Sequence, residues 1–312
     1  MIDSVARLEQ DNNERHISQE HVPVMVKEVI EYLQPQVNGI YVDATLGLGG
    51  HAEAILRRIG IRGRLVGIDR DDSSLHAAKR NLSGYEPQCQ FVHENFRNID
   101  RILKEQKLDK VNGIMLDLGI SSFQLEDESR GFSFQKEGPL DMRMNQQSRI
   151  TAYDLVNSLS EYEIAKILRD YGQERWYNRI ARNIVRQRAL SPIRTTDELK
   201  MIVVKSMPPH QRHQKIHPAT RTFQAFRIAV NSELEEIEMA LDKCIDHLAP
   251  GGRLVVIAFH SLEDRIVKEK FRLFARLGQA RILTKKPIRP QEEEVEQNSR
   301  ARSARLRAVE RI

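Results

Sequence analysis

The residues best suited to chemistry surround one glycine-rich turn. The segment DATLGLGGHA (43–52) places the carboxylate of Asp43 four residues before the first of three glycines and His51 directly after the last. Residues 47–52 fit G-x-G-x-x-A, a variant of the dinucleotide-binding fingerprint, and Asp69 follows at the distance of a ribose partner. The turn therefore predicts a nucleotide-like cofactor, although glycine turns also simply close strand–helix corners.

Two details distinguish between the possible cofactors. Asp43 would repel a pyrophosphate so close to the turn but suits a cation, such as the ammonium of a methionine moiety, and His51 replaces the small residue that usually admits a pyrophosphate. The pattern D-x-T-x-G-x-G also resembles the methyltransferase motif D-x-G-x-G-x-G, with Thr45 in place of one glycine. We therefore expect S-adenosyl-L-methionine, and an NAD-dependent oxidoreductase is the weaker alternative.

Three further residues follow predicted strands at the same edge of the sheet. Asp69 closes the second strand and suits both ribose hydroxyls, and Phe96 follows the third strand and suits the adenine ring. Asp117 ends the fourth strand and is expected to face the reaction crevice, because open α/β sheets bind ligands beyond the carboxyl ends of their strands. Their joint placement favours a cofactor site over three unrelated core residues.

The elements that position these residues alternate between strand and helix. Four β-rich runs are separated by helical patterns, which predicts a parallel sheet covered by helices. These runs are GIYVDA (39–44), GRLVGIDR (63–70), CQFVHENF (89–96) and VNGIMLDLG (111–119). A loop from Ser121 to about Ser148 and a helical stretch without strands then interrupt the alternation.

The alternation resumes with one long helix, predicted from near Thr220 to Leu248. Eight apolar residues in this segment recur in steps of three and four, which places them on one helical face. They are Phe223, Phe226, Val230, Leu234, Ile237, Leu241, Cys244 and Leu248. RLVVIAFHS (253–261) is the fifth strand, and ARILTK (280–285) and SARLRAVER (303–311) are the last two. The pattern predicts an α/β domain with a helical insertion between its fourth and fifth strands.

Positive charge is concentrated in the insertion. The chain carries a net charge of +5, whereas residues 161–227 contain fourteen Lys/Arg against six Asp/Glu. Arg175, Arg179, Arg182 and Arg186 are predicted to share one helical face, and no acid lies between Arg175 and Leu190. Solvated helices usually intersperse acids, so this stripe predicts phosphate contacts with RNA.

Seven ordered blocks carry a resemblance to a known family. They are DATLGLGGH, DLGISSFQLE, RGFSF, GPLDMRM, HPATRTFQAFRIAVNSELEEI, LAPGGRLVVIAFHSLEDRIVK and RARSARLRAVER. Together they closely resemble the bacterial RsmH/MraW family, which methylates N4 of a cytosine in the decoding centre of small-subunit (16S) ribosomal RNA. The resemblance covers about residues 21–312.

The resemblance implies a fold, a cofactor and a partner. The fold is α/β, a Rossmann-like class I S-adenosylmethionine-dependent methyltransferase sheet with an inserted helical domain. Residues 21–126 and 216–312 would form the methyltransferase domain and 127–215 the inserted substrate-recognition domain, while residues 1–20, which lie outside the resemblance, are polar and predict a flexible leader. The implied partner is small-subunit ribosomal RNA, within the assembled or assembling 30S subunit. The implied cofactor-binding residues are Gly49, Gly50, His51, Asp69, Phe96, Asp117 and Gln124.

The expected reaction needs an acceptor for a proton of the attacking amine. Many amino-methyltransferases place Asp/Asn-Pro-Pro-Tyr at the fourth strand end, whereas this chain has DLGISS there (117–122). Asp117, Asp141 and His260 are conceivable acceptors. The sequence assigns the catalytic role to none of them, because cofactor binding, loop bracing and strand-end packing explain each equally well.

Composition restricts the remaining possibilities. The apolar runs are too short for a membrane span of roughly 18 residues, no apolar signal core opens the chain, and no metal-ligand spacing occurs, so we expect a cytoplasmic protein without a metal. Cys89 and Cys244 lie in apolar segments and are expected to be buried thiols. A non-catalytic RNA-binding assembly factor that keeps the fold as a scaffold is the second alternative.

Overall fold

The structure, a computed structural model, describes residues 23–212 and 217–312, apart from the side chain of Ser122. The predicted leader, residues 1–20, lies outside the described residues. Seven strands form one sheet, and they bear out the runs expected from the sequence. They are β1 (Ile40–Asp43), β2 (Arg64–Asp69), β3 (Cys89–His93), β4 (Val111–Asp117), β5 (Leu248–Ala258), β6 (Ala280–Ile282) and β7 (Arg305–Arg311).

The strand order of the sheet is β3-β2-β1-β4-β5-β7-β6. Strands β1 to β5 are parallel, and β7 runs antiparallel to both of its neighbours. The order reverses at the β1–β4 pair, where Val42 lies opposite Ile114. In open α/β sheets this switch point opens a crevice for a ligand at the carboxyl ends of the strands.

Helices cover both faces of this sheet. On one face lie α1 (Val26–Leu33), α2 (Gly50–Ile59) and α3 (Asp72–Asn81). On the other lie α4 (Ile99–Glu105), α11 (Glu233–His247) and α12 (Ser261–Arg276). Their apolar stripes and the alternating strand side chains form two buried clusters. Cys89 and Cys244 lie in these clusters as free thiols, as expected, and burial raises the pKa of each to about 12.

A third apolar cluster is formed by residues that lie between β4 and β5 in the sequence. The short helix α5 (Ser122–Glu126) follows β4, and a loop leads from it to the helices of the insertion. These are α6 (Ala152–Ser158), α7 (Glu161–Asp170), α8 (Tyr177–Leu190), α9 (Thr196–Ser206) and α10 (Ala219–Asn231). The short helix α13 (Glu292–Gln297) precedes β7. None of the helices in the described ranges is both long and apolar enough to cross a membrane.

The prediction of a single long helix from near Thr220 to Leu248 is wrong. Ser232 adopts a left-handed conformation, with φ of 48° and ψ of 38°, and divides the segment into α10 and α11. The apolar face is divided with it: Phe223 and Phe226 join the insertion cluster, whereas Ile237 and Leu241 join the sheet cluster. The domain boundaries remain a prediction. Because α10 packs with the insertion, the point at which the methyltransferase domain resumes is better placed at about residue 232 than at residue 216.

Candidate active site

A cavity of about 470 Å³ opens at the carboxyl ends of β1 and β4. Its lining includes residues that are far apart in sequence, among them those of the glycine turn after β1, the ends of β2 and β4, and the junction between α10 and α11. The predicted residues found on its wall are Gly50, His51, Asp69, Phe96, Asp117 and Gln124. The crevice expected from the strand order is therefore the place where the sequence-predicted residues meet.

The glycines shape the turn beneath this cavity. Gly47 and Gly49 have φ of 53° and 88°, a left-handed conformation that favours glycine. A Cβ atom on Gly49 would lie 2.9 Å from Leu82 Cδ1, and one on Gly50 would lie 2.7 Å from Pro23 Cγ. Gly50 lies on the cavity wall, whereas Gly49 packs behind it as the residue preceding α2. The two predicted glycines thus serve different purposes, one at the surface and one in support.

Asp69 fixes the turn to the end of β2. Its Oδ2 accepts a hydrogen bond from Gly47 N at 2.8 Å, and its Oδ1 accepts one from Asp71 N at 2.8 Å. Burial raises the pKa of Asp69, and these two backbone N–H groups oppose that shift. Each carboxylate oxygen has a second lone pair, so the side chain retains the capacity to accept from ribose hydroxyls. That role stays a prediction.

Three ionisable groups under the turn form a cluster with unsatisfied atoms. His51 Nε2 lies 3.6 Å from Asp117 Oδ2, and Asp43 is buried next to them with 1% exposure. Among the described residues, neither His51 ring nitrogen, nor Asp117 Oδ1, nor Asp43 Oδ2 has a hydrogen-bond partner. Buried polar groups are rarely left unpaired, so this cluster suits a ligand that brings donors and positive charge.

Electrostatics in this cluster follow from burial. Desolvation raises the pKa of Asp43 to about 6, with Asp117 and Asp69 adding to the effect while His51 and the Thr45 N–H oppose it. Burial alone would lower the pKa of His51, but the carboxylates of Asp117 and Asp43 outweigh it and raise that pKa. Asp43 lies behind the cavity wall and not on it, so the expectation that it faces the ligand directly is corrected. Its charge acts through the field beneath the turn.

Phe96 and Gln124 complete the predicted set. Phe96 is 8% exposed, follows β3 and lines the cavity, where its ring suits the predicted contact with adenine. Gln124 is 4% exposed, accepts from Ser121 N through Oε1 and donates through Nε2 to Asp71 Oδ2 at 2.7 Å. Gln124 therefore braces the loop after β4 against the end of β2, and the S-x-x-Q spacing of a capping box was a signal for it.

The three conceivable proton acceptors have different surroundings. Both carboxylate oxygens of Asp141 accept from Arg143, at 2.8 and 2.6 Å, which braces the loop. His260 precedes α12 and its Nδ1 accepts from the backbone N–H of Glu263, so that nitrogen is occupied. Of the three, Asp117 is the one that lines the cavity, and its Oδ1 is buried there without a partner among the described residues.

Two polar residues at the α10–α11 junction were not predicted from the sequence. Arg227 and Glu233 line the cavity and form a buried pair, with Nε–Oε1 and Nη2–Oε2 distances of 2.9 and 2.8 Å. The predicted continuous helix excluded this pair, because two residues six positions apart on one helix do not face each other. A turn between Asn231 and Glu233 was the signal needed, and the apolar periodicity runs through it.

The predicted arginine stripe is only partly formed. All four side chains are exposed, but Arg175 precedes α8 and lies over the ring of Trp176 at 5.6 Å. Arg182 Nε lies 3.6 Å from Glu161 Oε1 of the neighbouring helix α7, an acid that the local sequence did not reveal. Arg179 and Arg186 have no ion-pair partner in the described part of the chain. The stripe therefore reduces to two free cations on α8.

The strand order and the site define a class I S-adenosylmethionine-dependent methyltransferase. The MraW methylase family model matches residues 18–312, and the chain belongs to that family. The chain is 47% identical over 307 residues to "Ribosomal RNA small subunit methyltransferase H" of Clostridium botulinum (strain Kyoto / Type A2), covering 94% of this chain and 99% of the relative. It is 51% identical over 296 residues to the protein of the same name from Thermotoga neapolitana, covering 94% and 96%. The expected methyl donor, S-adenosyl-L-methionine, is confirmed, and neither the oxidoreductase nor the non-catalytic alternative is favoured.

Proposed function

We propose that this protein transfers the methyl group of S-adenosylmethionine to the exocyclic N4 of a cytosine in the decoding centre of small-subunit ribosomal RNA. The observation that carries the proposal is family membership along residues 18–312, with relatives named as small-subunit ribosomal RNA methyltransferases. The proposed substrate is this RNA within the assembled or assembling 30S subunit, and the proposed site of action is the cytoplasm.

The cofactor fits the residues present. The negative charges of the buried Asp43 and the partly buried Asp117 suit its cationic methionine end, while Asp69 and Phe96 suit its ribose and adenine. We assign Gly50, His51, Asp69, Phe96 and Asp117 to direct contact, and Gly49 and Gln124 to support of the turn and loop. When bound, the cofactor supplies an electrophilic methyl group on its sulfonium.

The protein side of the reaction centres on Asp117. Cytosine N4 is a weak nucleophile because its lone pair is delocalised into the ring. A hydrogen bond from the amine to Asp117 Oδ1 would localise that pair on nitrogen and provide an acceptor for the proton released as the new N–C bond forms. His51, 3.6 Å from the other carboxylate oxygen, orients Asp117. Holding amine and methyl in line supplies much of the remaining acceleration.

The test is mass spectrometry of small-subunit RNA from cells with and without this gene. One cytosine should lack its N4 methyl group in the deletion strain. Purified protein with tritiated S-adenosylmethionine should restore that methyl group on subunits from the same strain. Unchanged methylation in the deletion strain would refute the assignment, and RNA binding without methyl transfer to any ribosomal substrate would favour the assembly-factor alternative.

A further inference from the structure

The cavity extends beyond the residues assigned to the cofactor. Its wall also includes Met144, Thr220, Arg227 and Glu233. Met144 comes from the loop of the insertion, and the other three come from α10 and α11. The cofactor assignment uses none of these side chains. The polar residues among these four therefore still lack a role.

Arg227 is the distinctive residue of this wall. Its side chain is 15% exposed and its partner Glu233 is 4% exposed, and the two form a two-point hydrogen-bonded pair. Burial alone would lower the pKa of Arg227, but Glu233 and the fully buried Glu263 outweigh it and raise that pKa. Within the described residues, Nη1 of Arg227 has no hydrogen-bond partner. A fixed cation thus offers one free donor group at the cavity.

The other two arginines of the wall are already engaged. Arg70 donates to Glu236 Oε2 at 2.7 Å and to the carbonyl of Asn231 at 3.3 Å. Arg300 donates to the exposed Glu126 at 3.1 Å. Both guanidinium groups hold elements together. Arg70 is as buried as Arg227, with 14% and 15% of the side chain exposed, but both terminal nitrogens of Arg70 have partners, whereas Nη1 of Arg227 has none among the described residues.

A metal ion is a poorer explanation of the same residues. Glu233, His260 and Glu263 place ligand atoms within 4.8 Å of one another, a spacing compatible with a cation. However, both oxygens of Glu233 accept from Arg227, so a guanidinium already provides the positive charge that these carboxylates need. The cluster instead holds Arg227 in place.

We propose that Arg227 is a specificity-determining residue that reads the target base, with Nη1 donating a hydrogen bond to N3 of cytosine while Asp117 accepts from N4. The inference rests on the proposed function. The Watson–Crick edge of cytosine presents a donor at N4 and an acceptor at N3, which complements one carboxylate and one guanidinium. Uracil presents an acceptor and a donor at the same positions and would leave both protein groups mispaired, a mismatch that buried sites reject strongly.

The experiment measures binding of cytidine 5′-monophosphate and its 3-deaza analogue to protein saturated with S-adenosylhomocysteine. The analogue replaces N3 by carbon and removes the acceptor. We expect the wild-type protein to bind the analogue at least tenfold more weakly, because a hydrogen bond to a charged group is lost. Arg227→Gln should bind cytidine monophosphate more weakly than wild type and lose most of the preference over the analogue. Arg227→Lys, which keeps the charge, should restore part of it.

The matched control is Arg221→Gln, an exposed arginine on the same helix α10 that does not line the cavity. It should retain the wild-type preference, and affinity for S-adenosylhomocysteine should be unchanged in all variants. Three results would each overturn the inference: no binding of cytidine monophosphate to the wild type, an undiminished preference in Arg227→Gln, or an equal loss of S-adenosylhomocysteine affinity in that variant. Failure of the proposed function would appear separately, as absence of the N4 mark in wild-type cells.

Discussion

At the scale of single residues, the site contains buried ionisable groups that do not stabilise the fold. Asp43 lies at the end of β1 with 1% exposure, and one of its oxygens has no partner among the described residues. An apolar side chain at that position, like those of the surrounding strands, would carry no desolvation cost. A carboxylate there destabilises the free protein and, in the proposed site, would contribute negative charge beneath the cationic cofactor. This is the trade between stability and function that buried active-site charges impose.

The cost of Asp43 should appear in the pH dependence of stability. Its pKa in the folded protein is about 6, above its ordinary value of 3.8, so the folded state binds this proton more tightly than the unfolded state. Stability is therefore lost as pH rises from about 4 to about 6 and stays lower above that range. An asparagine side chain does not titrate, so the free energy of unfolding of Asp43→Asn should not fall over this range. Its advantage over wild type should therefore be about 2–3 kcal/mol larger at pH 7.5 than at pH 4.

Urea unfolding of the two proteins at several pH values measures this difference. Asp43→Asn should also bind S-adenosylmethionine more weakly, since it lacks the buried charge. Stability curves that run parallel across the whole range would show that Asp43 is not strained by burial.

At the scale of elements, the decisive feature is the break between α10 and α11. It places Arg227 and Glu233 against each other, and it turns the apolar face of α10 toward the insertion. Ser232, exposed and left-handed, performs this turn without a side-chain cap. Glycine is the usual residue in that conformation, because a Cβ atom costs about 1–2 kcal/mol there.

Ser232→Gly should accordingly raise the free energy of unfolding by about 0.5–1 kcal/mol, the Cβ strain less the extra entropy of an unfolded glycine. Ser191 provides the matched control, because it is also exposed and ends helix α8, but with an extended φ of −158°. Ser191→Gly should be neutral or slightly destabilising. Chemical denaturation of both variants tests the idea, and a destabilised Ser232→Gly would contradict it.

The same break shows how far sequence reasoning reached. Strand runs and glycine turns are local signals, so the seven strands and the residues at their carboxyl ends were predictable. Gln124 was found through the family resemblance, and its capping-box spacing is likewise local. A left-handed serine within an unbroken apolar period carries no such signal. Arg227 and Glu233, which depend on that serine, were therefore missed.

At the scale of the whole molecule, charge and chemistry occupy different parts of the chain. The fourteen Lys/Arg of residues 161–227 outnumber their six acids, and these residues mostly belong to the insertion. Tertiary packing changes how many of these cations are free. Arg188 donates to the carbonyls of Val156 and Leu159, and Arg182 lies near Glu161, so both have partners within the insertion. Arg179 and Arg186 remain the best candidates on α8 for phosphate contact.

Replacing these two arginines should weaken RNA binding through its electrostatic part alone. Each phosphate contact contributes roughly 0.7–0.9 to the slope of log affinity against log salt concentration, because neutralised phosphates release counterions. The double variant Arg179→Gln/Arg186→Gln should therefore flatten that slope by about 1.4–1.8 and leave S-adenosylmethionine affinity unchanged. Filter binding to small subunits across a salt series, with calorimetry for the cofactor, measures both quantities.

The control for that experiment removes the same charge elsewhere. Arg58 and Arg62 are exposed on and just after α2, far along the chain from the insertion. Arg58→Gln/Arg62→Gln should change the slope little if the contacts are local to α8, and as much as the first variant if only net charge matters. A wild-type slope in Arg179→Gln/Arg186→Gln would mean that α8 presents an ordinary solvated face. The RNA would then have to contact other basic residues of the insertion, of which Arg221 on α10 is exposed.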